Sequence, residues 1–253
     1  MRCSLSIAII ANNEEANLPR TLASVRWADE IVVVDAGSMD QTATLGRAAG
    51  AQVFVEDWKG FAAQKNSAIA HCTGDWVLSL DADEEVGPEL AIEIQSLLSD
   101  HPACDAYTVP RRNFFLGRAL QYGGFYPDRK LRLFRRGHAR FSDRAVHETL
   151  ACSGKVGRLQ NDLLHHAYPT LASYIEHMDG YSTLGADILI QQGRTSRSPL
   201  AFVWNVATAP RLNFFYNYVV RLGFLDGREG LLMHLYHANY VSWKYAKAWH
   251  ASK

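Results

Sequence analysis

The sequence predicts an α/β protein in which a mostly parallel sheet carries helices on its faces and a helical C-terminal extension follows. Short apolar runs alternate with longer amphipathic ones from residue 4 to about 110, the pattern of βα units feeding a parallel sheet. From Thr170 onward the pattern is helical, broken at Ser196 to Pro199 and around Gly223 to Gly230. The length of 253 residues, with 48% hydrophobic and 21% charged content, suits one globular domain with a short appendage and excludes disordered or fibrous classes.

Taken in order, Leu5 to Ala11, Glu30 to Asp35, Gln52 to Glu56, Trp76 to Leu80 and Ala106 to Val109 read as strands. Helices fall between them, at about Glu15 to Val25 and at Asp40 to Ala49, where Gly50 supplies the left-handed stop. A third covers Phe61 to Cys72, and a fourth starts at Pro88, a residue suited to a first helical turn, and reaches about Ser99. Beyond residue 110 the chain is glycine-rich and aromatic over Phe114 to Asp128. Lys130 to Arg136 and Ala145 to Ala151 then alternate like strands, which reads as an insertion over one edge of the sheet. The domain boundary falls at 195/196, with 1–195 as the α/β domain and 196–253 as an aromatic, basic helical segment. Residues 199–253 hold 12 of the 28 aromatic residues and six lysines and arginines against Asp226 and Glu229.

Lysine plus arginine and aspartate plus glutamate both number 26, so no global charge draws the chain to nucleic acid. Cys3, Cys72, Cys104 and Cys152 form no CxxC pair, which argues against a structural zinc site or disulfide framework and for a reducing cytosol. Arg2 and the run Leu5 to Ala11 imitate a signal peptide. The next residues, Asn12-Asn13-Glu14-Glu15, are no small-residue cleavage site, so the run reads as a first strand. No window approaches the roughly 18 to 20 apolar residues of a membrane span.

The clearest chemical motif is Asp81-Ala82-Asp83-Glu84-Glu85, directly after the fourth strand. Ligands of open α/β sheets gather at the carboxyl ends of strands, and an extended chain would send Asp81 and Asp83 to one side. Two hard oxygen ligands suit Mg2+ or Mn2+. The alternative is a solvated acidic turn before the helix at Pro88. An EF-hand does not fit, because the twelfth position from Asp81 is Ile92. Asp35 ends the second strand at the same rim, followed by Gly37 for a tight turn and by Ser38 and Asp40 as helix-capping residues. Asn12 to Glu15 follow the first strand, so three strands deliver polar groups to one edge. His165 and His166 point to opposite faces of an extended chain, which gives one of them to a site and leaves the other structural. The glycines of Gly180 to Gly185 miss the nucleophile-elbow spacing, and neither a dinucleotide fingerprint nor a P-loop is present.

Four segments together, Leu5 to Glu15, Val34-Asp35-Ala36-Gly37-Ser38-Met39-Asp40-Gln41-Thr42, Lys65-Asn66 and Gly74 to Glu84, resemble family 2 glycosyltransferases of the GT-A fold. Arg132-Leu133-Phe134-Arg135, Val146-His147-Glu148, Gly223 to Gly227 and Tyr245 to Trp249 resemble the branch that includes the lipopolysaccharide-core β-glucosyltransferases. The likeness runs over nearly the whole chain. It implies a GT-A fold, whose Rossmann-like sheet binds the nucleotide, and inverting sugar transfer from a nucleotide-diphosphate donor, UDP-glucose, to a heptose hydroxyl of the lipopolysaccharide inner core. It implies donor contacts at Ala11, Asn13, Glu14, Asp35, Lys65, Asp81 and Ala82. A divalent metal, Mg2+ or Mn2+, would sit on Asp83 directly, with Asp81 touching metal or ribose. Lys65 otherwise reads as a solvated helix lysine.

The candidate base is Glu148, beside His147, with Asp128 in reserve; the alternative is that the His147-Glu148 pair caps a strand end. The resemblance also implies a lipid-linked or lipopolysaccharide-core acceptor, no nucleic-acid partner and a cytoplasmic protein at the inner-membrane surface. Trp243, Lys244, Lys247 and Trp249 are the residue types found at that depth; they equally suit packing or dimer contact. The rival readings are a same-fold transferase for another surface glycan or a peptide, and a nucleotide-sugar-binding scaffold without turnover.

Overall fold

The computed structural model describes residues 2–100, 102–142 and 149–253, in two compact units. Unit 1 comprises residues up to 111 together with 128–165, and unit 2 comprises 112–127 together with 166–253. The expected boundary at 195/196 therefore lies inside unit 2.

Unit 1 opens with three βα repeats. These are β1 (Leu5–Ala11), α1 (Leu18–Ser24), β2 (Glu30–Asp35), α2 (Thr42–Ala48), β3 (Gln52–Val55) and α3 (Phe61–His71). Then follow β4 (Trp76–Asp81), β5 (Glu84–Val86), α4 (Pro88–Ser99) and β6 (Ala106–Phe115), which is longer than expected. The strands β3, β2, β1 and β4 lie side by side and parallel. Parallel strands are covered on both faces, and both faces are apolar here. Leu5, Ile7, Ile9, Leu78 and Leu80 pack with Leu18 and Leu22 of α1 and Leu90, Ile94 and Leu98 of α4. Ala8, Val32, Val34 and Val77 pack on the other side with Ala62 and Ala68 of α3. Gly74 is required by crowding: a Cβ there would lie 2.7 Å from Ser6 Oγ and 2.9 Å from Ser6 N.

The segment expected as an insertion over one edge goes elsewhere. After β7 (Arg118–Ala119), β8 (Asp128–Arg135) enters the sheet between β4 and β6, antiparallel to both, with Leu78 opposite Leu133. Its apolar Leu133 and Phe134 are fully buried, which holds the strand inside rather than at a rim. The sheet is thus parallel in its first half and mixed in its second. The strands β9 (Ala139–Ser142) and β10 (Thr149–Cys152) form a separate antiparallel pair. Next, β11 (Val156–Arg158) pairs parallel with β6, and β12 (Leu163–Tyr168) pairs antiparallel with β5.

In unit 2, α5 (Leu171–Gln191) starts with a Thr170–Ser173 capping box and packs against α8 (Gly227–Ala251). Tyr174, Met178 and Met233 bury their side chains with Phe115 and Leu120. Between these helices, α6 (Pro199–Val203), a wide π-turn over Trp204–Thr208, α7 (Ala209–Phe215) and a second π-turn over Tyr216–Val220 run on from one another. Pro210 has no N–H for the carbonyl of Val206, and the Ser242 hydroxyl donates to that carbonyl at 2.7 Å instead. The Asp226 carboxylate is buried ahead of α8 and accepts from the Gln121 and Tyr122 amides at 3.1 and 2.9 Å. The residues expected at a membrane surface lie in the helix packing: Trp243 joins the Tyr174 cluster, Trp249 lies 4.8 Å from Phe202 between ring centroids, and Lys247 Nζ pairs with Asp179 at 2.6 Å.

Candidate active site

The parallel register sets the site. Ala11 lies opposite Asp35, and Ile10 lies opposite Asp81, so the last residues of β1, β2 and β4 come side by side at their carboxyl ends. The loops beyond them are tied together. Asn13, at φ +56°, donates its amide to Ser38 Oγ at 2.8 Å and accepts from the Met39 amide at 2.9 Å. The Glu14 amide donates to Thr42 Oγ1 at 2.8 Å, and the Glu15 amide to Asp40 Oδ2 at 3.1 Å. These bonds accompany the later starts of α1 and α2, since residues 13–15 and 38–42 hold one another across the two loops. Gly37, at φ +75°, makes the turn that brings the Ser38 amide and hydroxyl to the buried Asp35 carboxylate, the amide at 3.2 Å.

Asp81 ends β4, and Ala82 and Asp83 form the turn into β5, so the two carboxylates sit on a turn rather than along an extended chain. Lys65 Nζ lies 2.7 Å from Asp81 Oδ1, and Arg132 Nη2 lies 2.7 Å from Asp81 Oδ2. Burial alone would push the Asp81 carboxyl up, but the Arg132 guanidinium and Lys65 ammonium hold it well below the usual carboxylate range. Arg132 Nη2 also donates to the fully buried Glu84 at 2.6 Å. Glu84 accepts from the Asp81 amide at 3.0 Å and from Arg111 at 3.3 Å. Arg111 in turn grips Asp128 Oδ2 at 2.7 Å, and Lys130 lies 3.0 Å from Asp128 Oδ1. Alternating charges thus run from Lys65 through Asp81, Arg132, Glu84, Arg111 and Asp128 to Lys130. Glu84, Arg111 and Arg132 were missed as site residues, and Lys65, 5% exposed, is no solvated helix lysine.

The antiparallel pairing of β12 with β5 puts His165 opposite Glu84 and its Nε2 3.3 Å from Asp83 Oδ2. Burial opposes ionisation of Asp83, yet the contact with His165 draws its carboxyl below the usual value. Glu14 goes the other way: burial, and then the neighbouring Asp83 and Asp40 charges, raise it although Asn17 donates to it. His166 belongs to unit 2, where its ring stacks on Phe114 with centroids 4.9 Å apart. Asp128 is burdened as a base, because Arg111 and Lys130 keep its carboxyl ionised against the pull of burial. Glu148 and His147 lie outside the described residues. The strand before them is gripped by α3: Asn66 donates to the Phe141 carbonyl at 2.9 Å and accepts from its amide at 3.0 Å.

The chain is similar to known glycosyltransferases. The chain is 34% identical, over 76% of its own length and 74% of the other's, to the lipopolysaccharide core biosynthesis glycosyltransferase LpsC of Rhizobium meliloti. It is 29% identical over 90% of its length to an uncharacterized glycosyltransferase, RT0209, of Rickettsia typhi, covering 80% of that protein. In fold it is similar to the mannosyltransferase PcManGT of Pyrobaculum calidifontis, solved with GDP-Man and Mn2+. That likeness has a TM-score of 0.55 at 13% identity, over 100% of this chain and 89% of the other. A Glycosyl transferase family 2 model matches residues 6–151, which span β1 to β10 and every carboxylate of the rim. With a relative of this identity and a sheet of this architecture, the chain belongs to glycosyl transferase family 2 and has the GT-A fold.

Proposed function

We propose that this chain transfers a sugar, with inversion, from UDP-glucose to a heptose hydroxyl of the lipopolysaccharide inner core. The observation that carries the reading is the meeting of Glu14, Asp35, Asp81 and Asp83 at the carboxyl ends of β1, β2 and β4, where α/β sheets take nucleotides. Similarity to a lipopolysaccharide core enzyme supports the acceptor class. On this reading Asp35 and Glu14 address base and ribose, with Ala11, Asn13 and Ala82 alongside. Lys65, fixed against Asp81, brings a positive charge to the diphosphate.

The donor set fits a hard divalent cation, Mg2+ or Mn2+, that brings most of its shell from substrate and water. Among the described residues no group of three or more His, Cys, Asp or Glu is placed to hold an ion unaided. Asp83 would hold it directly, while Asp81 has both oxygens engaged by Lys65 and Arg132. When bound, such an ion supplies charge neutralisation at the departing diphosphate. Glu148 takes the proton of the acceptor hydroxyl, and His147 orients it; this assignment stands on the sequence pattern.

Thermal melting with UDP, GDP, dTDP and CMP, each with Mn2+ or EDTA, tests the donor site. A shift confined to UDP with metal is expected, and no shift with any nucleotide overturns the reading. Glu148→Gln is expected to keep that shift while nucleotide release with acceptor falls by about 100-fold or more. Transfer takes place at the cytoplasmic face of the inner membrane, where a lipid-linked acceptor is presented. Among the described residues no helix is long and apolar enough to cross a membrane.

A further inference from the structure

The most exposed apolar surface of unit 2 lies before α8. Leu200 is 86% exposed, and Val203, Trp204, Leu212, Phe215, Tyr216 and Val220 are each more than half exposed. Leu200 and Val203 lie on α6, Leu212 and Phe215 on α7, and Trp204, Tyr216, Val219 and Val220 on the two π-turns that continue them, so exposed apolar side chains recur along the whole run. A face of this size on a water-soluble surface marks an interaction site.

Charge selects the occupant. From Ile188 to Leu225 the sequence contains no aspartate or glutamate and four arginines, Arg194, Arg197, Arg211 and Arg221, all exposed. Arg211 donates to the Ala207 carbonyl at 2.7 Å and Arg221 to Asn217 Oδ1 at 3.5 Å, so both hold their guanidinium groups on the segment itself. A two-fold contact of this face with a second copy would set arginines against arginines with no carboxylate to separate them. Lipid phosphates offer the missing charge, and acyl chains take up the leucines and aromatic rings.

We propose that the helical stretch 199–225 lies in the plane of an anionic bilayer, with Leu200, Trp204, Leu212, Phe215 and Val220 inserted below the headgroups and Arg197 and Arg211 on lipid phosphates. The proposal deepens the reading of a lipid-linked acceptor by naming the surface that meets its membrane.

The test is co-sedimentation of the full chain with phosphatidylglycerol–phosphatidylethanolamine vesicles and with phosphatidylcholine vesicles. Binding to the anionic vesicles alone is expected. The triple variant Leu200→Ser, Phe215→Ser, Val220→Ser and, separately, Arg197→Glu with Arg211→Glu should each weaken it by about tenfold or more, the second pair with no change in apolar area. Circular dichroism confirms that each variant is folded. Equal binding by both variants overturns the proposal. A dimer in light scattering that the serine variant dissolves, without vesicle binding by the parent, also overturns it in favour of a second copy. UDP-glucose turnover with a soluble heptose acceptor separates the two readings. Turnover without vesicle binding overturns the membrane surface alone, and vesicle binding without turnover overturns the transfer reaction alone.

Discussion

The rim of unit 1 and the stretch 199–225 of unit 2 handle charge in opposite ways. In the rim every carboxylate of the alternating series meets a cation within about hydrogen-bond distance, from Lys65 on Asp81 to Lys130 on Asp128. In the stretch 199–225 cations stand among exposed apolar side chains with no acid in the sequence. The difference teaches where each unit looks for partners. The alternating series satisfies its charges internally and so presents a fixed field to a small polar ligand, as preorganised sites do. The helical stretch leaves both its charge and its apolar area to be satisfied from outside.

Substitutions at five positions sharpen that contrast, from the largest expected effect downward. Arg132→Met removes the cation shared by Asp81 and Glu84 and leaves two carboxylates crowded in a buried place. Urea unfolding should show a loss of about 3 to 5 kcal/mol, and a loss below about 1 kcal/mol would refute the internally satisfied rim. Asp83→Asn touches only the turn and His165, so UDP-glucose turnover should fall by about 100-fold while the melting temperature holds.

Asn66→Ala unmakes both bonds to Phe141, at a cost of about 1 to 3 kcal/mol by urea unfolding; Asn66→Asp, which loses the donor alone, should fall between it and the parent. Glu56 supplies the pH dependence. Bonds from Lys59, Ser67 and His71 lower its carboxyl from 4.5 to about 2, so its stabilisation is complete above pH 4.5 and is lost as pH falls towards 2. Glu56→Gln should therefore be less stable than the parent by on the order of 1 kcal/mol at neutral pH, after solvent screening, and equal to it at the acid end. By contrast, Phe215→Ser on the exposed face should change unfolding by no more than about 0.5 kcal/mol, since it uncovers nothing in the folded chain.

Much of unit 1 is readable in one dimension. The strands β1, β2 and β4 appear as apolar runs because both faces of a parallel sheet are covered, and the rim follows because each run ends in, or leads directly into, polar residues. The charge series was hidden for a different reason. Arg132 reaches Asp81 and Glu84 only because β8 slips between β4 and β6, a pairing across some fifty positions that leaves no local pattern. The segment Lys130 to Arg136 did alternate as a strand, but alternation says nothing about which neighbours a strand will take. Lys65 looked like any helix lysine until its helix faced β4. In unit 2 the aromatic, basic composition was visible, yet composition does not say which aromatic residues face inward. Trp243 packs with Tyr174 while Phe215 stays outside, and the two π-turns shift the face that a regular period would assign.

The two bonds between Asn66 and Phe141 also bear on the behaviour of the chain in company. A short two-stranded ribbon such as β9 with β10 offers outward amide and carbonyl groups, the template on which a neighbouring strand pairs. Asn66 occupies the amide and the carbonyl of Phe141 at once, imitating with one side chain the strand that would otherwise add there. Asn66→Ala frees both groups of Phe141 at once, so a rise in turbidity at high protein concentration is the expected outcome.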